Sequence, residues 1–196
     1  MAASGAHPVS GLGKQAKILT EAQVRAALAA ARPPFDRVMV ILSVRAGMRA
    51  CEIANLTWEM VCNSDGEVGD TIALQSKATK GGTGGREIPM HPDVQAELRA
   101  LEGPREGHII RDRRGRRMNR KAVVVRFYRL YKSLGFQGVS SHSGRRTFIT
   151  RLANKIVGAG GSLRDVQQLA GHSSLSTTQR YIEGNSDAKR RAVAMI

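Results

Sequence analysis

Apolar residues recur every three or four positions along most of this chain, which predicts a series of amphipathic helices. Polar pairs with capping chemistry mark helix starts, as at Thr20 with Gln23 and at Ser162 with Asp165. The helix that follows Pro34 carries the most apolar run, and Gly47 interrupts it. We therefore expect that helix at the centre of a core built from several others.

Residues 58–90 follow a different pattern. Ile72 and Leu74 alternate with polar neighbours, a glycine-rich turn spans residues 81–85, and a second apolar-polar alternation follows at residues 87–90. This pattern predicts a small antiparallel hairpin, with three strands if residues 58–61 are counted. The predicted fold class is mainly α with a small antiparallel β-sheet (α+β).

Composition adds a charge to this picture. The chain of 196 residues has 31 Lys and Arg against 16 Asp and Glu, a formal net charge of +15. A charge of this size in a folded domain indicates a polyanionic partner. The densest positive stretch lies at residues 111–121, and its basic members are Arg111, Arg113, Arg114, Arg116, Arg117, Arg120 and Lys121.

Several classes of protein are disfavoured. Cys51 and Cys62 suit neither a zinc cluster nor a disulfide framework, so we expect reduced thiols in a cytosol. We find no apolar run long enough for a membrane span and no signal-peptide pattern. The expectation is a soluble cytoplasmic protein that makes no membrane contact.

The region 142–181 concentrates the chemistry. His142 and Arg145 stand three apart at the start of a predicted helix, which places both on one face. His172 follows a glycine that ends the next helix. Ser176 with Gln179 predicts a third capping box, which puts Tyr181 in the second turn of a short helix. A phenol is a poor nucleophile at its ordinary pKa of about 10, and these neighbours supply cations that would assist it.

The segments HSGRR, LAGHSS and YIEG, with nine positions from His172 to Tyr181, closely resemble the signature of the tyrosine recombinase (phage integrase) family. The upstream segment AGMRACEIANLTW is similar to the first arginine motif of that family. The resemblance covers about residues 18–190 and implies the catalytic-domain fold of that family. It also implies site-specific cleavage and rejoining of DNA strands through a 3′-phosphotyrosine intermediate, without a metal or a nucleotide cofactor.

The resemblance also assigns roles to residues. Arg49 and Arg145 would bind the scissile phosphate, and Glu52 would hold Arg49 in place. His142 would contact the phosphate and assist proton transfer, and His172 would donate to a non-bridging oxygen. Tyr181 would be the nucleophile. Without the resemblance, Arg49 and Glu52 would be interpreted as a surface ion pair and Tyr181 as a buried tyrosine with a bonded hydroxyl.

The sequence offers two candidates for the general acid. The family uses a lysine in the turn of the small hairpin, and both Lys77 and Lys80 fit that place. We prefer Lys80, because a flexible glycine-rich turn could swing its ammonium group into the active site. Arg146, beside Arg145, is expected to contact the DNA backbone or to form a structural pair.

The chain departs from the family in two ways. Relatives carry a separate N-terminal domain that clasps the DNA, whereas here residues 1–17 are predicted to be a flexible arm and residues 18–196 the catalytic domain. The position held by Gly144 is commonly Leu, so slightly weaker packing is expected there.

The resemblance implies double-stranded DNA as the partner, bound by a homo-dimer or homo-tetramer with accessory DNA-bending proteins, at the bacterial nucleoid. The tail 187–196, with its apolar residues Ala192, Val193, Met195 and Ile196, would be exchanged between protomers on DNA. Two alternatives stay open at this point. One is a type IB topoisomerase-like enzyme, and the other is a catalytically silent DNA-binding accessory protein derived from an integrase.

Overall fold

The computed structural model describes residues 16–32, 34–79, 84–181 and 194. The helices, in chain order, are α1 Glu21–Ala30, α2 Phe35–Arg45, α3 Ala50–Asn55, α4 Pro92–Arg99, α5 Arg120–Ser133, α6 Ser143–Lys155, α7 Leu163–Ala170 and α8 Leu175–Gln179. The strands are β1 Thr71–Leu74 and β2 Arg86–Pro89, and short 3-10 turns occur at Trp58–Met60, Ser76–Ala78 and Val157–Ala159. The predicted mainly α fold with a small antiparallel sheet is confirmed.

The sheet is a two-stranded antiparallel pair in which Ile72 faces Ile88. Both isoleucines are buried, whereas Ala73 and Glu87 on the other face are exposed. The prediction of a third strand at residues 58–61 is wrong. Trp58–Met60 forms a 3-10 turn instead, and the neighbouring Thr57 makes only an isolated bridge with His108.

Helix α2 lies at the centre of the core, as its apolar run predicted. All residues from Val38 to Val44 are buried, including Ser43. The helix packs against α1, α4 and α6, and α3 packs against α5. Burying every face of one helix in this way requires neighbours on all sides, and the surrounding amphipathic helices supply them.

The chain joins this core slightly before the predicted end of the flexible arm. The amide of Lys17 donates to the carbonyl of Gly138 at 2.9 Å, and the carbonyl of Ala16 accepts from Arg146. The amide of Leu19 donates to the Thr147 hydroxyl at 2.7 Å. Residues 16 and 17 therefore belong to the folded domain, and residues 1–15 lie outside the described part of the chain.

Helices α6 and α7 form a second, smaller apolar cluster. Its buried residues are Ile149, Ala153, Val166 and Ala170. Phe148 and Tyr181 pack against this cluster from its edge. The cluster holds the end of α7 and the segment that follows it next to α6, which is where the candidate site residues lie.

Capping residues set three of the eight helix starts in the described part of the chain as predicted. The Thr20–Gln23 and Ser162–Asp165 capping boxes both form, and Asn119 caps α5. The predicted capping box at Ser176 is wrong, because Ser174 is the N-cap of α8 and its hydroxyl accepts from the Ser176 amide. Helix α8 ends at Gln179, so Tyr181 lies just beyond the helix and not in its second turn.

Gly144 leaves no gap where slightly weaker packing was expected. A Cβ atom on this residue would lie 2.3 Å from Ser43 Oγ and 3.1 Å from Val44 Cγ1. Helices α2 and α6 therefore approach too closely at this point for any side chain. The glycine allows the contact that brings α6 onto the core.

Two further expectations concern the chain as a whole. Within the residues that the structure describes, no helix is both long and apolar enough to cross a membrane. The thiols of Cys51 and Cys62 are both free.

Candidate active site

The candidate catalytic residues come from four separated parts of the chain. Arg49 is the N-cap of α3, and Arg145 lies in the first turn of α6. His172 follows α7 and Tyr181 follows α8. The structure brings all four to the same side of the molecule, where they line two adjoining clefts that share Thr177.

The first cleft, of about 560 Å³, is bordered by the nucleophile candidate. His142, Arg145, Arg146, Arg180 and Tyr181 line it. The second cleft, of about 770 Å³, lies against Arg49, the other candidate phosphate-binding arginine, and the end of α7. Arg49, Arg86, Arg164 and His172 line that cleft. Each opening therefore carries three arginines and one histidine, and such a concentration of positive charge favours an anion.

Glu52 is the acidic centre of this arrangement. Its side chain is completely buried and accepts from Arg49 Nη1 at 2.7 Å and from the Arg49 amide at 2.7 Å. Arg86 donates to both carboxylate oxygens, at 2.8 and 2.9 Å. The expected role of Glu52 in holding Arg49 fits this geometry, and one carboxylate holds two guanidinium groups.

Arg145 is 4% exposed and is held by backbone oxygens. Its Nη1 donates to the Gly47 carbonyl at 2.6 Å, and its Nη2 donates to the Ala170 carbonyl. Burial, and then the positive charge of Arg49, lower the pKa of Arg145 to about 9. The guanidinium is therefore still positively charged at neutral pH.

The three arginines contact three successive carbonyl groups at the end of α7. Arg86 Nε donates to Leu169 O at 3.0 Å, Arg145 to Ala170 O, and Arg49 to Gly171 O at 2.9 Å. The last carbonyls of a helix have no partner within the helix, and they carry the negative end of its dipole. Three cations at this end therefore fix the position from which His172 extends.

The charges in this cluster do not cancel. Burial by itself raises the pKa of Glu52, but the hydrogen bonds and charge of Arg86, the Arg49 amide and the charge of Arg145 outweigh it and lower the pKa to about 2. One carboxylate thus faces the three guanidinium groups of Arg49, Arg86 and Arg145. Each guanidinium has five N–H donors, so Arg49 and Arg145 keep donors for a ligand. The excess positive charge favours an anion such as a phosphodiester.

His172 is neutral in this setting. Burial, and then the charges of Arg145, Arg49 and Arg86, lower its pKa to about 4. Its Nδ1 lies 3.0 Å from Thr178 Oγ1. Its backbone is fixed by the Gln167 side chain, whose Nε2 donates to the His172 carbonyl at 3.0 Å.

Tyr181 stacks on this imidazole. The two ring centroids are 5.7 Å apart and the ring planes differ by 22°. The Arg146 guanidinium lies 5.9 Å from the Tyr181 ring centroid, and its Nη1 donates to Ala16 O at 2.8 Å. Arg146 therefore contacts the nucleophile candidate and the first described residues of the chain, rather than standing free on the surface.

His142 is the exposed N-cap of α6 and lines the same cleft as Tyr181. Its amide donates to the Ser140 hydroxyl at 3.2 Å. The His-x-x-Arg spacing thus places one imidazole at the cleft surface and one guanidinium beneath it.

Of the two lysine candidates, Lys80 lies outside the described residues. Lys77 is exposed, and its charge contributes to the lowered pKa of His108, although burial and then Arg117 and Arg111 contribute more. Thr79 and Gly84, on either side of the undescribed residues 80–83, line the cleft that contains Arg49. The structure therefore places Lys77 near the basic segment, and the two ends of the turn beside the active site.

The basic segment 111–121 begins with a tight turn. The Asp112 carboxylate accepts from the Arg114 and Arg116 amides at 2.8 and 3.0 Å, and Gly115 adopts a positive φ of 73°. Arg116 pairs with Asp112, and Arg117 donates to the Asn55 side chain. Arg113 and Arg114 are exposed at the tip. The single acid in this segment organises the turn that presents the basic residues.

Arg86 is a candidate functional residue that sequence reasoning missed. It lies at the start of β2, directly after the glycine-rich turn, with only 9% of its side chain exposed. The available signal in the sequence was a basic residue in a predicted half-buried strand, where an unpaired charge would be unfavourable. Spacing along the chain does not connect it with Glu52, 34 positions away.

Comparison with known proteins finds relatives of this chain. Residues 17–187 match the model of the phage integrase family. The tyrosine recombinase XerC of Xanthomonas campestris pv. campestris (strain B100) is 31% identical over 153 residues, which cover 74% of this chain and 43% of the relative. The chain spans about half the length of the curated relatives it matches.

Solved structures show the same fold. A crystal structure of XerA recombinase aligns with a TM-score of 0.71 at 24% identity, covering 91% of this chain and 64% of that one. The Tn1549 transposon integrase in complex with a circular intermediate DNA aligns with a TM-score of 0.69 at 21% identity, covering 96% of this chain and 68% of that one.

Proposed function

The chain belongs to the phage integrase family, and on that basis we propose that it cleaves and rejoins DNA strands at specific sites through a tyrosine-linked intermediate. The observation that carries the proposal is the convergence of Arg49 and Arg145 on the end of α7, from which His172 extends and stacks on Tyr181. A phosphodiester held by the two guanidinium groups would lie beside the phenol, with its non-bridging oxygens neutralised.

The proposed reaction is a transesterification. The Tyr181 oxygen attacks the scissile phosphorus, and a new phosphorus–oxygen bond forms as the bond to the 5′ oxygen breaks. The phenol proton passes to a base, and the assignment of this role to His142 is supported by its position in the same cleft as Tyr181. The departing 5′ oxygen takes a proton from Lys80. Attack by a 5′ hydroxyl on the phosphotyrosine reverses the sequence and rejoins a strand.

Electrostatics would lower the barrier in this scheme. The pentacoordinate transition state carries more negative charge than the starting diester, and Arg49 and Arg145 are fixed in advance by Glu52, Gly47 and Ala170. Donors that are already oriented cost no reorganisation when the charge develops. Neutral His172 adds a third donor without adding to the repulsion between the arginines.

Double-stranded DNA is the proposed substrate. The net charge of +15 and the exposed arginines of the turn 111–117 support contacts to phosphates besides the scissile one. Since related integrases are solved on DNA, one of them as a λ integrase dimer on a core site, we propose that pairs or tetramers act together, with DNA-bending proteins as accessory factors. The proposed place of action is the cytoplasm, at the nucleoid. The tail 187–196, proposed for exchange between protomers, lies outside the described residues except for Ala194.

A trapping experiment tests the function. The chain is incubated at low salt with a library of nicked duplexes of randomised sequence, whose cleavage releases a short fragment and prevents rejoining. We expect a covalent protein–DNA adduct joined to the 3′ phosphate of the cleaved strand, and sequencing of the attached strands reports the preferred site.

Tyr181→Phe is the matched control for this experiment. It removes only the hydroxyl, so it should bind DNA as the wild type does and give no adduct. An adduct formed by the Phe variant, or none formed by the wild type on any sequence, would contradict the proposal.

A further inference from the structure

The Thr178 hydroxyl contacts one edge of the His172 ring. Thr178 is fully buried in α8, and its Oγ1 lies 3.0 Å from His172 Nδ1. The two nitrogens of an imidazole lie on different edges of the ring. With Nδ1 against a buried hydroxyl, Nε2 is the nitrogen left for the cleft that His172 lines.

The direction of this hydrogen bond follows from what the hydroxyl can reach. Among the described residues, the Thr178 side chain makes no other hydrogen bond than the one to His172. A hydroxyl has one proton to donate, and a buried polar proton without an acceptor is disfavoured. If Nδ1 carried the imidazole proton, it would donate to Thr178 Oγ1, and the buried hydroxyl proton of Thr178 would have no acceptor. Donation from Thr178 to Nδ1 satisfies both groups.

This bond decides which tautomer is present because the ring is neutral. Burial, and then the charges of Arg145, Arg49 and Arg86, lower the pKa of His172 to about 4. At neutral pH the imidazole therefore carries a single proton. An accepting Nδ1 leaves that proton on Nε2.

The rest of the ring is held in place by other contacts. Tyr181 stacks on its face at 5.7 Å between centroids, and Gln167 holds the His172 backbone from both sides. These contacts fix the plane of the ring but do not select a tautomer. Only the Thr178 hydroxyl distinguishes the two nitrogens among the contacts of the described residues.

We propose that Thr178 is a positioning residue that holds His172 in the Nε2–H tautomer, so that Nε2–H donates to a non-bridging oxygen of the scissile phosphate. The inference rests on the proposed function for the second half of this statement. The first half, the tautomer, concerns the free protein and is measured without DNA.

The tautomer is read by NMR. Long-range proton–nitrogen correlation spectra of the 15N-labelled chain at pH 7 distinguish a protonated Nε2 from a protonated Nδ1. We expect wild-type His172 as the Nε2–H form, Thr178→Ser to keep it, and Thr178→Val, which has the same shape without the hydroxyl, to show a mixture. A wild-type His172 protonated on Nδ1 would overturn the proposal, even if no variant folds.

The cleavage rate tests the consequence. In single-turnover assays on a nicked duplex, Thr178→Val should slow adduct formation by about ten-fold, against about a hundred-fold or more for loss of the donor itself in His172→Ala. Thr178→Ser should restore most of the rate. Ser176→Ala, which removes an exposed hydroxyl from the same helix, is the control and should cleave as the wild type does.

The outcomes separate the two proposals. A Val variant with the wild-type tautomer and the wild-type rate would overturn the role of Thr178. A wild type that forms no adduct would contradict the proposed function, while the NMR spectra would still decide the tautomer.

Discussion

Arg86 donates to both carboxylate oxygens of Glu52, at 2.8 and 2.9 Å, and the pair is almost entirely buried. The same carboxylate binds Arg49 through the side chain and the amide. One acid therefore fixes two of the three guanidinium groups that meet the end of α7. The site is organised around a single buried negative charge.

The first prediction concerns this charge. A carboxyl whose pKa is lower in the folded chain stabilises the fold above its unfolded pKa, and the contribution is lost as the pH falls through the folded value. For Glu52 that window runs from 4.5 down to about 2. Glu52→Gln should cost about 3 kcal/mol of unfolding free energy at pH 7.

Urea unfolding of the wild type and the Gln variant at several pH values checks this. The difference between them should shrink as the pH falls from 4.5 toward 2. A difference that stays constant across this range would mean that the Glu52 charge is not what stabilises the cluster.

The second prediction concerns Gly171, which ends α7 with a φ of 59°. A Cβ there would lie 2.8 Å from Arg86 Nη1. Gly135 follows α5 with a φ of 66° and has open space around it. Gly135→Ala should therefore cost only the positive-φ strain of about 1 kcal/mol. Gly171→Ala should cost about 1–3 kcal/mol more, because it also displaces Arg86.

Chemical denaturation of the two alanine variants gives this comparison directly. Equal losses would show that the close approach of Gly171 to Arg86 has no energetic consequence. The DNA-cleavage rate of Gly171→Ala should also fall, whereas that of Gly135→Ala should not.

The third prediction separates the two lysines. If Lys80 protonates the departing 5′ oxygen, Lys80→Ala should cleave an ordinary duplex slowly. It should recover on a duplex with sulfur at the 5′ bridging position, because a thiolate leaves without a proton. Lys77 lies near His108 and the basic segment, so Lys77→Ala should need no such rescue. Rescue of Lys77→Ala alone would transfer the role to that residue.

The fourth prediction concerns the turn at residues 111–117. The exposed Arg113 and Arg114 stand at its tip, whereas Arg116 is paired with Asp112 at 2.8 Å. If the tip binds phosphates, replacing Arg113 and Arg114 by Ala should reduce the salt dependence of DNA binding by about 0.9 in log–log slope for each lost contact. Arg116→Ala should reduce it less.

The DNA affinity of each variant, measured at several salt concentrations from low to moderate, gives the slope that tests this prediction. An unchanged slope in the Arg113/Arg114 double variant would remove the turn from the DNA interface. All variants are made in the Tyr181→Phe protein, which should not cleave DNA, so that no covalent adduct disturbs the measurement.

Local patterns in the sequence determined most of the fold. The capping boxes at Thr20 and Ser162, the apolar run of α2 and the alternation in the hairpin depend on residues a few positions apart, and each formed as predicted. The sequence also determined the family, because the spacing of its polar motifs is itself local. The wrong prediction at Ser176 also concerned nearby residues, because Ser174 has a second capping hydroxyl two residues earlier.

Tertiary structure decided what joins distant segments. Arg86 reaches Glu52 across 34 positions, and Arg145 reaches the Gly47 carbonyl across 98. Helix α2 passes so close to Gly144 that only a glycine fits there, and no pattern within α6 reveals this. Such contacts depend on how whole helices are arranged in space. The same arrangement determines which charged and polar groups are buried, and therefore the free energy of burying them. The sequence therefore determined which groups are present, and the packing of α2, α6 and α7 decided which of them meet.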